Sequence, residues 1–471
     1  MDLMSKIISL CKRRGFIFPS SEIYGGFGSG YDFGPLGNEL KNNIKKAWQQ
    51  EMLKKQDNIV GLDAGILMSP KVWRSSGHLS AGFADELVEC KKCHKRFKMD
   101  EIETQNHNSK IETNFIENLK CPECKGDLTN PKKFNLMMKT FIGSLEDESS
   151  VAYLRPETCQ GIYVNFSNVL QTMRLKIPFG IAQIGKSFRN EITPKNFIFR
   201  VREFEQMEMQ WFCSPNLSDK EDVDQNKQSP NQWFDYWKQE RLKWYLSLGI
   251  KKENLKFEEV PEKERAHYAK RQIDILYHFP FGWKEIEGIH NRGDYDLSNH
   301  MKHSGKDLKY NDELEGKKYI PYIIETSAGV ERLFLAFLCE AYSEIKGGRT
   351  ETTQSAKELE SVLRLNKKLC PIKIAVLPLV KNKPELVKKA REVYQLLKTQ
   401  FSCQYDESGS IGRRYRRGDE IGIFFAITID FNTIKDNTIT IRERDTMKQK
   451  REKIENLINI LNYEMDFQRG F

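Results

Sequence analysis

A chain of 471 residues, 39% hydrophobic and 30% charged, is long enough for two or three domains with their own cores. It holds no run of eighteen apolar residues, which excludes an ordinary membrane-spanning helix. The formal net charge of +9 leans towards a polyanionic partner, and ten cysteines without an export signal argue against a disulfide framework.

Residues 1 to 15 read as a short helix with Leu3, Ile7 and Leu10 on one side; its apolar stretch is too short for a secretory signal, so a cytoplasmic location is expected. A Gly-, Ser- and aromatic-rich segment follows. Next comes a helix in which Leu40, Ile44, Ala47, Trp48 and Met52 share a face, with Pro35 just ahead of it, where a missing amide costs nothing. Residues 62–78 suggest a strand and a loop. Cys90 and Cys93, then Cys121 and Cys124, form two C-x-x-C knuckles. Four thiolates at the corners of a tetrahedron are what structural zinc takes, and such a set leaves no open position for catalysis. The segment between the knuckles is longer than a usual ribbon spacing, and His94 and His107 lie close by as decoys; two pairs of reduced thiols are the alternative. Residues 105–118 are polar and suggest no element. "FNLMMKTFIG" predicts one buried strand, and 149–173 a strand running into a helix. Glu157 falls at the turn between them, where a buried carboxylate needs a cation or a helix N-terminus.

Residues 185–212 predict an antiparallel hairpin with a long basic tip marked by Pro194 and Asn196. Val201, Glu203, Glu205 and Met207 alternate with Arg202, Phe204, Gln206 and Glu208, so both faces carry charge. A sheet lining a polar ligand site would do this; a solvated surface hairpin is the alternative. The residue types suit a nucleoside triphosphate: Arg189 to fork a phosphate, Glu191 to accept from an exocyclic amine, Phe204 to stack on a base.

Residues 214–265 read as an inserted segment, polar at first, then an amphipathic helix with Trp233, Trp237, Leu242 and Tyr245. His290, His300 and His303 lack zinc-ligand spacing and are expected on the surface or facing RNA. "YIIE" predicts a strand meeting a helix whose apolar side is Val330, Leu333, Phe334 and Phe337, with Gly329 permitting close approach at the junction. Arg332 in that helix needs a partner, either a polyphosphate or a neighbouring carboxylate. Residues 343–369 read as a linker. Beyond it, alternating strands and a helix bearing Leu386, Ala390, Val393 and Leu397 imply a mixed sheet covered by helices, closed by a helix over 447–462. "GRRYRRGDE" clusters Arg413, Arg414, Arg416 and Arg417 around a tyrosine, a pattern suited to single-stranded RNA.

"FRNE" followed by "RVREFEQME" resembles the second signature of class II aminoacyl-tRNA synthetases in its glycyl form. The resemblance extends to "FPSSEIYGG", "YDFGPLGNELKNN", "YLRPETCQGIYVNF", "ETSAGVERLFLA" and "GRRYRRGDEIG". It implies an α+β catalytic domain on an antiparallel sheet over 1–369, with a zinc-ribbon-like insertion at 88–126 and a variable insertion at 214–265. A C-terminal α/β anticodon-binding domain with a mixed sheet would occupy 370–471. The helix after Pro35 would cross a homodimer two-fold. The implied reaction joins glycine to ATP as glycyl-adenylate and passes the glycyl group to the 3′ end of its tRNA. By resemblance, Arg189, Glu191 and Arg332 are the catalytic residues. The ATP site would comprise these with Asn190, Phe199, Arg200, Val201, Arg202, Glu203, Phe204, Glu285, Ile286, Gly329, Val330 and Glu331. Mg2+ would accompany ATP, and Zn2+ would be structural. Glycine would be held among Lys98, Glu157, Phe204, Glu205, Gln206, Met207, Glu208, Glu325, Thr326, Ser327, Ala328 and Gly329.

Three departures from the family pattern stand out: Thr326 where a proline is common, Cys159 for alanine, and Lys98 for an arginine, which loses the guanidinium fork. No editing domain is expected, since every rival amino acid is larger than glycine and can be excluded sterically. Two rivals remain: another class II specificity (prolyl or threonyl) and a non-catalytic, synthetase-like RNA-binding protein. "RPETCQG" and "ETSAG" argue against the first; retention of Arg189, Glu191 and Arg332 argues against the second.

Overall fold

A computed structural model describes residues 2–79, 83–99, 102, 119–217, 228–313, 316–350 and 359–465. Helix α1 (Leu3–Arg14) is capped by Asp2, whose side chain accepts the Ser5 N–H, and stops at Gly15, which takes a left-handed φ of 70°. Helix α2 (Pro35–Gln49) buries Leu40, Ile44 and Trp48 against the core, as its spacing predicts. Gly37 makes this possible: a Cβ there would lie 1.8 Å from the Phe16 carbonyl oxygen.

Behind these helices stands a seven-stranded sheet. Its strands are β1 (Ile59–Gly61), β2 (Phe179–Phe188), β3 (Glu203–Cys213), β4 (Leu255–Glu259), β5 (Arg271–Phe279), β6 (Gly282–Gly293) and β7 (Tyr322–Gly329), in spatial order β4-β5-β6-β7-β3-β2-β1. Every pairing is antiparallel except β1 with β2. The hairpin expected at 185–212 is β2 and β3. Helix α3 (Pro230–Ser247) and helix α4 (Val330–Ala341) cover the apolar face, where Trp211 meets Trp233 and Trp237 at ring distances of 4.8 and 5.2 Å.

The segment expected as a variable insertion packs on this core, which leaves that expectation as it stands. Helix α3 carries a Ser229 capping box and supplies five buried aromatics to the main core, and β4 is an edge of the sheet. Its polar beginning at 218–227 lies outside the described residues. "FNLMMKTFIG" is corrected. It forms two half-exposed strands, Lys132–Asn135 and Met138–Phe141, in different small sheets, because Leu136 and Met137 break out of register between them.

The Cys90 to Cys124 region is a satellite module. Strands Ala84–Glu89, Arg96–Lys98 and Lys132–Asn135 form a three-stranded sheet, and Val88, Cys90, Met99, Ile102, Leu119, Cys121 and Leu128 make its core. His107 and residues 105–118 lie outside the described residues.

The expected linker contains structure. Tyr342–Lys346 and Leu359–Leu363 pair antiparallel in full register. Burial of Leu369 and Cys370 ends the first core, and Ile374 begins a second. There β8 (Ile374–Pro378), β9 (Cys403–Tyr405), β10 (Phe425–Ile429), β11 (Thr438–Glu443) and β12 (Gln449–Lys453) form a mixed sheet in the order β9-β8-β10-β11-β12. Leu386, Ala390, Val393 and Leu397 are buried against it. The helix expected over 447–462 is corrected: 449–453 is an edge strand, its exposed "QKREK" being polar because one side faces water, and the helix starts only at Leu457.

Candidate active site

The register of the central strands builds the site. Glu208 on β3 stands beside Ser327 on β7, and Ser327 beside Gly288 on β6; one row on, Gln210, Glu325 and His290 align. Because side chains alternate along a strand, Gln206, Glu208, Glu325, Ser327 and Gly288 share one face, while Met207, Thr326, Ala328 and Glu287 share the other. The pocket on the first face is lined by Glu157, Arg189, Glu191, Phe199, Arg200, Val201, Phe204, Gln206, Glu208, Tyr268, Glu285, His290, Glu325, Ser327, Gly329, Glu331 and Arg332, among others.

One end of this pocket is cationic and aromatic. Arg189 donates through Nε to the Pro156 carbonyl at 3.1 Å and lies 5.5 Å from the Phe204 ring centre. The hairpin tip is tied down by Arg189 N–H to Arg202 C=O and Arg202 Nε to Glu191 C=O. Arg332 meets Glu285 Oε2 at 3.0 Å and sits 4.7 Å over Phe199. Burial opposes ionisation of Glu285, but the Arg332 charge outweighs it and holds the carboxyl below its usual range. Of the two partners considered for Arg332, the structure shows the neighbouring carboxylate, with an open pocket beside it. The Glu191 Oε2 oxygen is buried without a hydrogen-bond partner, 3.8 Å from the Lys98 ammonium.

The other end holds three buried carboxylates, Glu157, Glu208 and Glu325. Glu157 faces His78 Nε2 at 3.3 Å and accepts from Cys159 Sγ and Gln160 Nε2, both at 3.0 Å. Burial works against its charge, yet His78 and Arg292 bring it well below the carboxylate range. Glu325 lies 3.0 Å from Arg292 Nη1 and 2.9 Å from His290 Nδ1; burial works against its charge, but Arg292 and the neighbouring imidazole together hold it below its usual range. Glu208 differs. It accepts only from neutral donors: Thr158 Oγ1 at 2.5 Å, Ser327 Oγ at 2.8 Å and Gln206 Nε2 at 2.9 Å. Burial, then repulsion from Glu325 and Glu157, pushes it up to about 7. A small cation entering here would find one carboxylate with no cation bonded to it, Arg155 acting on it only through space.

Several expected residues are not brought into this pocket. Met207, Thr326, Ala328, Ile286 and Val330 are buried on the reverse side, so their side chains pack rather than contact ligand. Glu203 pairs with Lys186 outside the pocket, and Arg202 and Glu205 line a neighbouring cavity. The Asn190 side chain is not on the wall, although its backbone N–H anchors the hairpin to Leu136 C=O. Lys98 is held by Asp85 and reaches Glu191 rather than the carboxylate end.

Other contributors were not foreseen. His290 and His300, expected at the surface, are both buried: His290 against Glu325, His300 hydrogen-bonded to Gln160 Oε1 at 2.8 Å. Arg292 is clamped by Asp296 and stacks 3.6 Å over Tyr268. His303 alone of the three is exposed.

In the satellite module the four sulfurs of Cys90, Cys93, Cys121 and Cys124 lie within 4.8 Å of one another. Backbone N–H groups of Cys93 and Lys92 point at Cys90 Sγ and, in that order, bring its thiol down to about 6. A Cβ at Gly126 would come within 3.1 Å of the same sulfur, so the knuckle closes only around glycine. Four thiolates with amides aimed at them fit a structural zinc ion.

In the second domain the basic run is a helix, α5 (Ile411–Glu420). Its arginines divide. Arg414 is buried and donates to the carbonyls of Pro378, Leu379 and Asp406, so it braces the domain and is not an RNA contact. Arg417 is drawn to Asp406 and Ser408, and Arg416 donates to Leu359 C=O. Arg413 faces solvent.

The family model described as "tRNA synthetase class II core domain (G, H, P, S and T)" matches residues 141–342, and that described as "Anticodon binding domain" matches 373–464. A glycine–tRNA ligase of Treponema denticola is 52% identical over 95% of this chain and 94% of its own length. That of Borreliella burgdorferi is 51% identical over the whole of both chains, and that of Thermobifida fusca 48% over 96% of each. The chain belongs to the glycine–tRNA ligase family. The class II core match carries six of the seven strands of the large sheet, all but β1, and the anticodon-binding match carries the mixed sheet.

Proposed function

We propose that the pocket on the central sheet is where this glycine–tRNA ligase activates glycine with ATP before transfer to tRNA. The observation that carries the reading is the division of one pocket into a cationic, aromatic end and an end of three buried carboxylates. ATP would lie at the first, with Phe204 on the base, Glu191 accepting from its amine, Arg189 on the α-phosphate and Arg332 on the γ-phosphate. Glycine would lie at the second, its ammonium among Glu157, Glu208 and Glu325. Its carboxylate would then attack the α-phosphate in line, breaking the α–β anhydride and releasing pyrophosphate to leave glycyl-adenylate, a step that needs alignment and charge neutralisation more than a covalent group. Glu208 is the carboxylate with no cation bonded to it, so the ammonium would supply one. Cys159, Gln160 and Thr158 fill the floor around the carboxylates and leave little room for a side chain.

Mg2+ accompanies ATP in aminoacyl-tRNA synthetases; Glu285 is the pocket carboxylate beside Arg332 able to hold it, where it would offset phosphate charge. Zinc would be held by the four cysteines as a structural ion. The domain boundary would fall at 369/370, within a few residues of the change from Cys370 in the first core to Ile374 in the second. The anticodon-binding domain would take the glycine tRNA, with Arg413 its exposed basic contact.

A homodimer is supported by an apolar patch on the 20–30 loop. There Ile23, Tyr24 and Phe27 stand 88, 86 and 66% exposed, whereas the apolar face of α2 is spent on its own core. Among the described residues no helix is long and apolar enough to cross a membrane, and the proposed location is the cytoplasm. Glycine-dependent ATP–pyrophosphate exchange tests the site. The wild type should exchange and Arg189→Ala should lose roughly a hundredfold or more; equal exchange in both, or exchange driven by proline, would sink the reading.

A further inference from the structure

Two of the residues assigned to ATP each have a carboxylate next to them in sequence: Glu205, outside the pocket, beside Phe204, and Glu331, at its wall, beside Arg332. Both carboxylates end on one ammonium. Lys41 Nζ, on α2, lies 2.6 Å from Glu331 Oε1 and 2.8 Å from Glu205 Oε2. The other oxygen of Glu331 accepts the Glu205 backbone N–H at 2.9 Å, and Lys45 meets Glu205 Oε1 at 3.0 Å. The Lys41 ammonium sits 4.1 Å over the Phe33 ring, and Phe33 meets Phe334 of α4 edge-on. The three charged side chains are 5–14% exposed, so water screens them poorly.

We propose that Lys41 is a positioning residue for the ATP half of the site, fixing the separation of Phe204 and Arg332 without touching substrate. The mechanical reason is local. Glu331 stands in the first turn of α4, one residue before Arg332, and Glu205 near the start of β3, one residue after Phe204. Without the ammonium, the buried Glu331 loses the lysine it is paired with and faces Glu205, which keeps only Lys45. The start of α4 and the start of β3 then separate, and Arg332 and Phe204 move with them. The carboxylates assigned to glycine are held by Thr158, Ser327, Gln206, His78 and Arg292, a set Lys41 does not enter. The effect is therefore confined to ATP.

This inference rests on the ATP assignment made above. Steady-state pyrophosphate exchange tests both, with ATP and glycine varied separately. Lys41→Met should raise the KM for ATP roughly tenfold and leave the KM for glycine within about twofold. Lys41→Arg, whose fork can bridge two carboxylates, should recover most of the loss. An unchanged KM for ATP, a parallel rise in both constants, or no recovery with arginine would each overturn the proposal. If Lys41→Met does not fold, Glu205→Gln carries the test: an ATP-selective rise supports the proposal and an unchanged KM for ATP overturns it. Phe204→Ala and Arg332→Ala in the same assay separate the two failures. If these leave the KM for ATP unchanged, the ATP assignment has failed; if they raise it while Lys41→Met does not, only the role of Lys41 has.

Discussion

Glu208 and Glu287 are buried carboxylates on opposite faces of one sheet, and they are kept in opposite ways. Glu287, fully buried behind the sheet, has its own cation and its own hydroxyl: Arg241 Nε donates to it at 2.7 Å and Tyr245 OH at 2.5 Å. Glu208, 2% exposed, has hydroxyl and amide donors but no bonded cation. A protein can bury a carboxylate by neutralising it permanently, or it can leave the charge for a ligand to neutralise. The first choice ties α3 to the sheet; the second makes a binding site.

The largest expected effect breaks the first arrangement. Glu287→Gln leaves the Arg241 guanidinium buried without a counter-charge, and Nη1 and Nη2 of that group already lack partners. Chemical unfolding should show a loss of about 3–5 kcal/mol, while glycine and ATP KM values of the folded fraction stay at wild type. A change in glycine KM without loss of stability would mean that the two faces are not independent.

Glu208→Gln should do the reverse: raise the glycine KM by roughly a hundredfold, as for loss of a charge-assisted contact, and not destabilise the fold. The pH dependence fixes the sign. A carboxyl pushed up to about 7 by burial and by Glu325 and Glu157 favours the protonated form in the folded state. Its contribution to stability is fully present below the ordinary carboxylate pKa and is lost as pH rises through 7. Glutamine does not titrate. The variant should therefore match the wild type near pH 4.5 and exceed it at pH 8 by at most roughly 3 kcal/mol. Apparent glycine affinity of the wild type should fall below pH 7, where the ammonium must displace a proton.

Zinc removal sharpens the comparison at the edge of the pocket. Stripping the metal with a chelator, or Cys121→Ser, should expose the 88–126 region to protease while the main unfolding transition moves little, because the module has a core of its own. Lys98, held on that module by Asp85, then loses its place beside Glu191, and the KM for ATP should rise several-fold (roughly 3–10) with glycine KM steady. Unaltered protease sensitivity on loss of metal would exclude a structural role.

How far the sequence carries these distinctions depends on the phase of each element. The alternation at 201–208 separates Phe204, Gln206 and Glu208 from Glu205 and Met207 correctly, because β3 runs without a break; assigning Glu205 and Met207 to glycine ignored that phase. On β6 the same reasoning fails. Leu276 pairs with Glu285 and Ile275 with Glu287, so Ile286 is an extra residue in a bulge. The bulge puts Glu285 on the same face as Gly288 and His290, a phase no alternation rule would give. Charged strands were the other blind spot. Lys346 and "QKREK" lie in antiparallel strands rich in charge, and local polarity reads as linker or helix.

The arginine run of α5 shows the same limit on a smaller scale, and supplies the smallest expected effect. Arg413 and Arg414 are adjacent and alike in sequence, but a helix turns neighbours about 100° apart. Arg414 lands inside, where three carbonyls take its guanidinium, and Arg413 lands in water. Arg413→Ala should leave thermal stability unchanged and weaken tRNA binding only a few-fold, with the slope of log affinity against log salt falling by about one, as for loss of one phosphate contact. Arg414→Ala should instead lower the unfolding temperature of the anticodon-binding domain, since it leaves buried carbonyls without a donor, and should leave the salt slope unchanged. The two slopes decide the matter, because a bracing arginine can weaken binding through misfolding but cannot change how many counterions the RNA releases.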